Sequence, residues 1–535
     1  MVVLRGGTVA DVYTGTWVEA NVEIDGGRIV YVGPRDPPAQ AEVIDVRGKI
    51  VAPGYIEPHT HPWCLYSPAS LLEVAVPDGT TTLVYDNLFF FLAHGVDGLR
   101  AIVDQMNAAP AHIKWVARIA AQTALAEDAF DPEVVAAMLA WPEVVASGEI
   151  TNWFGVTRGV FDRGIAAAKR AGKRVEGHNA GASYARLNEL SAAGISADHE
   201  AITAEETRQR LRLGMWTMIR NSSLRPDLEP ILRELAPIVP AARRLMFTTD
   251  GAVPSFYAQH GVIGGCLRIA TQLGLDPMRA LQMATLDPAT FLGLDEELGG
   301  VAPGRRATLN ILPAPGEWRP ELVFVDGEIV ARDGELVMAP PDLKWPEGPK
   351  LTAPPPITPL NGVQPVARYE SAVINRRVDR EVRRGDLQAA LVARDGTWIT
   401  QGVMENFLDT PGFATTATTS LELLVLGTDP RAMARAAARV AELGGGFAFD
   451  GGWSAPLEID GLIAAGGFER ALGIERELTS EMQAAGYPFH DPLYSLLFAS
   501  GDFLPEVRLT PRGVLEVKTR TVLKGPSRID TVPAR

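Results

Sequence analysis

The stretch Gly54-Tyr55-Ile56-Glu57-Pro58-His59-Thr60-His61-Pro62 follows a strand-like apolar run and carries two histidines two positions apart. On an extended strand alternate side chains share a face, so both imidazoles can point at one metal ion. A His-x-His pair by itself is common in loops and cores. Here Glu149, His178, His199 and Asp250 follow in order, each near the end of a short apolar segment. Imidazoles and carboxylates suit zinc, iron or manganese, and a carboxylate shared by two cations both bridges them and offsets part of their charge.

Outward from that stretch, the chain changes texture three times. Residues 1 to about 50 alternate apolar and polar positions with glycine turns, as in Val22-Glu23-Ile24-Asp25-Gly26-Gly27-Arg28-Ile29-Val30, the pattern of short antiparallel strands. The same texture returns at Ala307 to Leu312 and Leu322 to Ala331, which predicts one β-sandwich built from 1–52 and 302–338. Within 53–301, strand-like runs (Thr82 to Tyr85, Arg174 to Val175, Leu245 to Phe247) alternate with helix-like stretches (Phe161 to Ala171, Glu205 to Leu213). Alternation of this kind predicts βα units, a parallel sheet and the α/β class. Residues 339–360 are dense in proline and read as a linker. Beyond them, 361–535 reads as a further domain, with a strand at Leu423 to Leu426 and a helix from Asp429 to Leu443 ending at Gly444-Gly445-Gly446.

Composition bounds the function. The 535 residues are 46% hydrophobic and 21% charged, enough for a large core and more than one domain. A formal charge of −15 disfavours nucleic-acid binding, which demands a basic footprint. Two cysteines, Cys64 and Cys266, supply neither a disulfide framework nor a thiolate zinc site, and Cys64 reads as a small apolar residue. The amino terminus breaks into glycine before a signal core can form, and the run Leu88 to Ala93 is too short to span a bilayer. A cytoplasmic protein is expected, with a small-molecule substrate and further copies of itself as partners, and with no membrane.

Several motifs together resemble the adenine deaminase family of the amidohydrolase superfamily. They are Val51-Ala52-Pro53-Gly54, Gly79-Thr80-Thr81-Thr82, Gly148-Glu149-Ile150-Thr151-Asn152, Gly177-His178-Asn179-Ala180-Gly181, Ser196-Ala197-Asp198-His199-Glu200, Gly214 to Arg220, Thr249-Asp250 and Val301-Ala302-Pro303-Gly304. In the last third, Asp491-Pro492-Leu493 and Leu509-Thr510-Pro511-Arg512-Gly513 resemble that family's α+β C-terminal domain. The resemblance implies a (β/α)8 TIM-type barrel holding two divalent transition-metal ions, with His59, His61, Glu149, His178, His199 and Asp250 as ligands and Glu149 as the bridge. It implies hydrolysis of a C–N bond by a metal-activated hydroxide, with Asp250 as proton shuttle and Glu200 as a second catalytic carboxylate. Glu200 and Asp86 also suit the role of orienting ligand imidazoles. Arg220 either contacts substrate, supports Asp250 or is a salt-bridge partner. His260 is a candidate for the pocket mouth, whereas His94, His112 and His490 carry no partner pattern.

Four stretches depart from that family. Pro62-Trp63-Cys64-Leu65 replaces Ile-Glu-Ser-Ser, Asp86-Asn87-Leu88-Phe89 replaces Asp-Pro-His-Glu, and Gly251 replaces a second aspartate. Thr415-Thr416-Ala417-Thr418-Thr419 stands where His-Asp-x-His-Asn is expected. Each change removes polar groups, which predicts substrate contacts from Trp63, Leu65, Asp86, Leu88 and Phe89 and a more apolar substrate than adenine. Adenine or a substituted 6-aminopurine is the first expectation. Another cyclic amidine, lactam, imide or amide is the second, and a non-catalytic scaffold the third.

Overall fold

The computed structural model describes residues 1–122, 129–352 and 354–529. Its central element is an eight-stranded parallel sheet in sequential order: β1 (Tyr55–Thr60), β2 (Thr80–Tyr85), β3 (His112–Arg118), β4 (Val144–Ile150), β5 (Arg174–Gly177), β6 (Ala197–Asp198), β7 (Trp216–Arg220) and β8 (Leu245–Thr248). A parallel bridge between Thr60 and Asp250 brings the last strand back to the first, so the sheet is a nearly closed barrel. β1, β2, β7 and β8 are buried along their whole length. That is why they read as continuous apolar runs rather than as alternation.

Helices lie between the strands. Asp162–Arg170 precedes β5 and Ala204–Arg212 precedes β7. The second begins where the Thr203 side chain accepts from the Glu206 N–H, with Glu205 and Glu206 in the first turn and Arg210 and Arg212 in the last. This capping and charge order complements the helix dipole. Ile56, Val84, Val116, Ala146, Ala197, Met218 and Met246 form one cluster with Phe291 and Leu292 of the helix Leu286–Leu292. Those strand residues all precede the chemistry-bearing positions in their strands. The barrel's amino end is therefore plugged, and only its carboxyl end is open to function.

Strands from both flanks of the barrel pair with each other. Ile50–Pro53 runs antiparallel to Leu309–Leu312, and both belong to a nine-stranded sheet that includes Val2–Asp11, Thr16–Asp25, Arg28–Gly33, Leu322–Val325 and Glu328–Arg332. Its apolar faces pack as Leu4, Val9, Val22, Ile24, Val51, Leu309, Ile311 and Phe324. A second nine-stranded sheet is C-terminal and includes Leu387–Val392, Trp398–Glu405 and Leu423–Gly427. The helix Pro430–Leu443 covers it and stops at Gly444, whose φ of 77° is a left-handed cap.

This C-terminal part docks on the barrel's open end. Leu65 forms a bridge with Ile463, the Ala464 N–H donates to the Leu65 carbonyl at 2.8 Å, and the Phe468 N–H donates to Glu73 Oε2 at 3.2 Å. The helix Phe468–Ala484 packs on Pro254–His260, the helix that follows β8.

Candidate active site

His59 is the penultimate residue of β1, and His61 follows that strand. Glu149 is the penultimate residue of β4, His178 and His199 come directly after β5 and β6, and Asp250 lies two residues past β8. The pairing of β1 with β2 shifts register twice within Tyr55–Thr60. Such an irregularity re-aims side chains, which here turns His59 and His61 toward the barrel axis. Asp250 has a φ of 54°, a left-handed conformation that costs an L-residue about 1–2 kcal/mol. Its N–H donates to Thr248 Oγ1 at 2.9 Å and its carboxylate is gripped by Arg220, contacts that hold the unfavourable backbone in place.

These elements bring all six expected ligands together. The ligand atoms of His59, His61 and Asp250 lie within 4.8 Å of one another, as do those of Glu149, His178 and His199. Asp250 Oδ1 is 2.8 Å from His61 Nε2 and 3.4 Å from His59 Nε2. Glu149 Oε2 is 2.9 Å from His178 Nδ1 and 3.1 Å from His199 Nε2, while its Oε1 is 3.9 Å from His61 Nε2. His199, Glu200 and Asp250 form a third close group that joins the two.

A set of buried residues aims these ligands. Glu176 of β5 places Oε2 3.1 Å from His59 Nδ1 and Oε1 2.8 Å from His199 Nδ1, so one carboxylate orients both imidazoles and leaves each Nε2 facing the centre. Glu57 accepts from the His59 N–H at 3.1 Å, Thr248 Oγ1 at 2.6 Å and the Thr249 N–H at 2.8 Å, which ties the first strand to the last. Burial pushes its carboxyl up to about 7. Arg118 binds Asp86 and donates to Glu149 Oε1 at 2.7 Å, and Asp86 Oδ2 lies 3.1 Å from His61 Nδ1. Glu176, Glu57 and Arg118 are absent from the sequence reading. The one signal available for Glu176 was its place two residues before His178, on the same face of β5.

The electrostatics fit a cation. Burial opposes charge on Asp250 and Glu149, yet Arg220 beside the first and Arg118 with His178 beside the second hold both carboxyls well below the usual range. Burial likewise opposes charge on Glu200, but Arg220, His178 and Arg225 bring it to about 2. Burial and His59 disfavour a charged His199, while Glu149 and Glu176 outweigh them and push it up to about 10. Among the described residues, His59 Nε2 and His199 Nε2 are buried without a hydrogen-bond partner, although carboxylate oxygens lie within 3.5 Å. Imidazole nitrogens crowded by carboxylates without hydrogen-bond geometry are what a metal ligand set presents when its ion is absent.

Sequence comparison agrees with this geometry. A family model described as "Amidohydrolase family" matches residues 50–330, which is more than half of the chain. The chain belongs to the amidohydrolase family. With membership comes its class of chemistry, hydrolysis of C–N bonds other than peptide bonds, and its dependence on metal. A second model, "Adenine deaminase C-terminal domain", matches residues 366–521. Full-length relatives include the "Putative adenine deaminase YerA" of Bacillus subtilis, 34% identical over 97% of this chain and 94% of that protein, and a putative adenine deaminase of Halalkalibacterium halodurans, 35% identical with the same coverage. Among solved structures, a D-hydantoinase (17% identical, 63% of this chain and 97% of that one, TM-score 0.50) shares the fold. So does an atrazine chlorohydrolase of Arthrobacter aurescens (20% identical, 63% and 97%, TM-score 0.50). No helix among the described residues is long and apolar enough to cross a membrane.

In this amidohydrolase the ligand set opens into a cavity of about 660 Å³. Its floor is His61, Glu149, His178, Glu200, Arg220 and Asp250, and Trp63 stands beside them with its ring centroid 4.9 Å from that of His61. Leu65, Asp86, Leu88, Phe89 and His260, all expected at the pocket, are not among its described lining residues. Leu88 and Phe89 open the helix Leu88–Met106 in its buried first turn, where the rings of Phe89 and Trp63 meet edge to face at 4.2 Å. Asp86 is spent on Arg118 and His61. His260 ends the helix Pro254–His260 and stacks on Phe256. Thr415–Thr419 is likewise outside the described lining, and Thr416 Oγ1 donates to the Gly461 carbonyl at 2.6 Å within the C-terminal sheet region. The apolar wall is real but comes from elsewhere: Val373, Ile374, Phe498, Phe503 and Leu504 of the C-terminal part, with Ile202 and Leu224.

Proposed function

We propose that the chain hydrolyses the exocyclic C–N bond of a 6-aminopurine, either adenine or a derivative carrying an apolar substituent, using two zinc, iron or manganese ions. One observation carries this reading: two candidate ligand triads joined by Asp250 and Glu200 lie at the floor of a cavity, with His61, Glu149, His178 and Asp250 reaching it, and the opposite wall is apolar. The relatives' names as putative adenine deaminases support the purine, and the apolar wall of Ile374, Phe498, Phe503 and Leu504 supports the substituent.

In this reading His59, His61 and Asp250 would hold one ion and His178 and His199 the other, with Glu149 as the carboxylate expected to serve both. Bound divalent cations would lower the pKa of water enough to supply a nucleophile near neutral pH. Asp250 accepts the proton released as the C6–O bond forms and delivers it to the amino nitrogen as the C6–N bond breaks. The nitrogen leaves as ammonia or an amine and C6 keeps the oxygen. Arg220 keeps Asp250 ionised and ready to accept. Glu200, also ionised, accepts a hydrogen bond from substrate rather than donating one. The proposal includes a cytoplasmic, homo-oligomeric enzyme, and sedimentation of the purified protein checks the second point.

The test is turnover by metal-loaded protein of adenine, N6- and C2-substituted adenines, cyclic imides, lactams and N-acyl compounds. The expected result is hydrolysis of a substituted aminopurine at a kcat/KM of about 10⁴ M⁻¹s⁻¹ or more, with adenine slower. Adenine above every other compound at about 10⁵ M⁻¹s⁻¹ would remove the substituent from the proposal. Turnover confined to imides, lactams or N-acyl compounds would replace the aminopurine.

A further inference from the structure

A second cavity, of about 300 Å³, lies at the amino end of the barrel, with Arg28, His112, Lys114, Glu297 and Arg306 as its polar lining. His112 and Lys114 open β3 and share the face of Val116, whose side chain belongs to the plug at that end. Lys114 precedes Arg118, the brace of Glu149, by four residues, about 13 Å along a strand, so this cavity is remote from the ligand set. Leu298 of the same plug closes it on one side. Arg28 opens the β-sandwich strand Arg28–Gly33 and forms a bridge with Arg306, so the barrel, the sandwich and the segment after the helix Leu286–Leu292 meet here.

Three cations, Arg28, Lys114 and Arg306, meet two carboxylates, Glu297 and Asp326. Arg28 donates to Glu297 Oε2 at 2.9 Å and to the Gly304 carbonyl at 2.6 Å. Arg306 donates to Asp326 Oδ2 at 2.6 Å and places Nε 3.3 Å from Glu297 Oε2. His112 Nε2 lies 2.8 Å from Thr308 Oγ1 and 3.5 Å from Asp326 Oδ1, and burial pushes the imidazole down to about 4, so it adds no charge. Lys114 is the exception. It is half-buried, has neither a hydrogen bond nor an ion pair among the described residues, and its Nζ is not sealed from solvent. Burial lowers its pKa and Arg306 lowers it further, while Glu143, one of the two acids that act on it, is held by Arg100 at 2.9 Å. A lysine that needed only water would point outward. This one stands on the barrel's inward face beside two guanidiniums, where the repulsion between like charges has no local counter-ion.

We propose that this cavity binds a phosphate group, held by Lys114 together with the guanidinium edges of Arg28 and Arg306. One such anion supplies the counter-charge that Lys114 lacks and accepts hydrogen bonds from donors on β3, the sandwich and the segment that joins them, which braces the barrel's closed end. Arginine and lysine are the side chains suited to this ligand, the first through its planar fork and the second as a point charge. The volume is at the low end for ligand sites, so the ligand is inorganic phosphate or the phosphate end of a small monoester. The site is independent of the aminopurine reading.

The experiment titrates metal-loaded protein with inorganic phosphate and, separately, with ribose 5-phosphate, in chloride buffer at constant ionic strength, and reads Kd by calorimetry. Wild type is expected to bind at about 1 mM or tighter. Lys114→Gln should weaken binding by about 10-fold, the worth of one charge-assisted contact, with metal content unchanged. In wild type itself, phosphate should slow acylation of Lys114, read by mass spectrometry, and leave that of the exposed Lys344 unaffected. This second measurement decides the matter if K114Q does not fold. Tighter binding of ribose 5-phosphate identifies the ligand as a monoester, and tighter binding of phosphate identifies it as the free ion. The proposal is overturned if wild type binds neither compound below about 10 mM. It is equally overturned if K114Q binds as tightly as wild type, which is what phosphate held at the metal-ligand set would give, or if phosphate leaves Lys114 acylation unchanged.

Discussion

The two walls of the cavity were built by different rules. The barrel wall carries His59, His61, Glu149, His178, His199 and Asp250, each at the carboxyl end of a strand and each braced by a buried partner such as Glu176, Arg118 or Arg220. The facing wall carries Val373, Ile374, Tyr494, Phe498, Phe503 and Leu504, which come from separate turns and short helices more than 100 residues beyond the barrel's last strand. The first wall is polar, tightly cross-linked and suited to chemistry common to a whole family. The second is apolar and attached by few polar bonds, so it can change without disturbing the first. In the proposed function, activation of the reaction and choice of substrate fall to different parts of the chain.

Four measurements would break or sharpen that division. Removing metal with a chelator should abolish turnover altogether, and zinc or manganese should restore it. Protein made with ample metal that shows none by elemental analysis, and never gains activity on addition, would end the assignment of the barrel wall. Asp250→Asn comes next: kcat should fall by about 100-fold to 10,000-fold, the usual worth of a proton-transfer group, with most of the metal retained. A variant at wild-type rate on any identified substrate would move the shuttle to another residue.

Glu176 touches neither cavity nor substrate in the described lining, so it acts as a positioning residue through His59 and His199. Glu176→Gln should weaken metal binding by about 10-fold to 100-fold in competition with a chelator, and saturating metal should recover much of the rate. Unchanged metal affinity would show that the two imidazoles are held without it. The smallest effect belongs to the facing wall. Phe503→Ala should raise KM for a substrate with an apolar substituent by about 10-fold, leave KM for adenine within about threefold, and leave metal content untouched. A loss of metal in this variant would erase the contrast between the walls, because it would mean that the C-terminal part also holds the ligand set.

Several features were readable along the chain because they depend on local spacing. His59 and His61 are two apart, the strands of 53–301 recur between helical stretches, and Asp429 caps a helix that ends at a glycine run, as found in Pro430–Leu443. The candidate ligands' places at strand ends follow from periodicity plus family motifs, since both survive in linear order. Of the residues expected at the pocket, Trp63 and Arg220 line the cavity, and Leu65, Asp86, Leu88, Phe89 and His260 are outside its described lining. Leu88 and Phe89 are apolar and near a strand end, which describes a pocket residue and a core residue equally well, and both are buried, Phe89 against Trp63. Glu57 and Glu176 look like ordinary carboxylates until the barrel closes and brings Thr248, His59 and His199 to them.

The sequence by itself therefore determined the fold class, the order of elements and the six candidate ligands that the barrel gathers, because hydrophobic period, capping and motif spacing are properties of neighbouring residues. Only the tertiary structure decided what braces those ligands and what faces them. The His59–Glu176–His199 bridge spans 140 residues of chain, and Tyr494 reaches Gly251 across more than 240. Contacts of that separation leave no periodic trace, since they are fixed by how the barrel closes and how a distant segment docks on its open end.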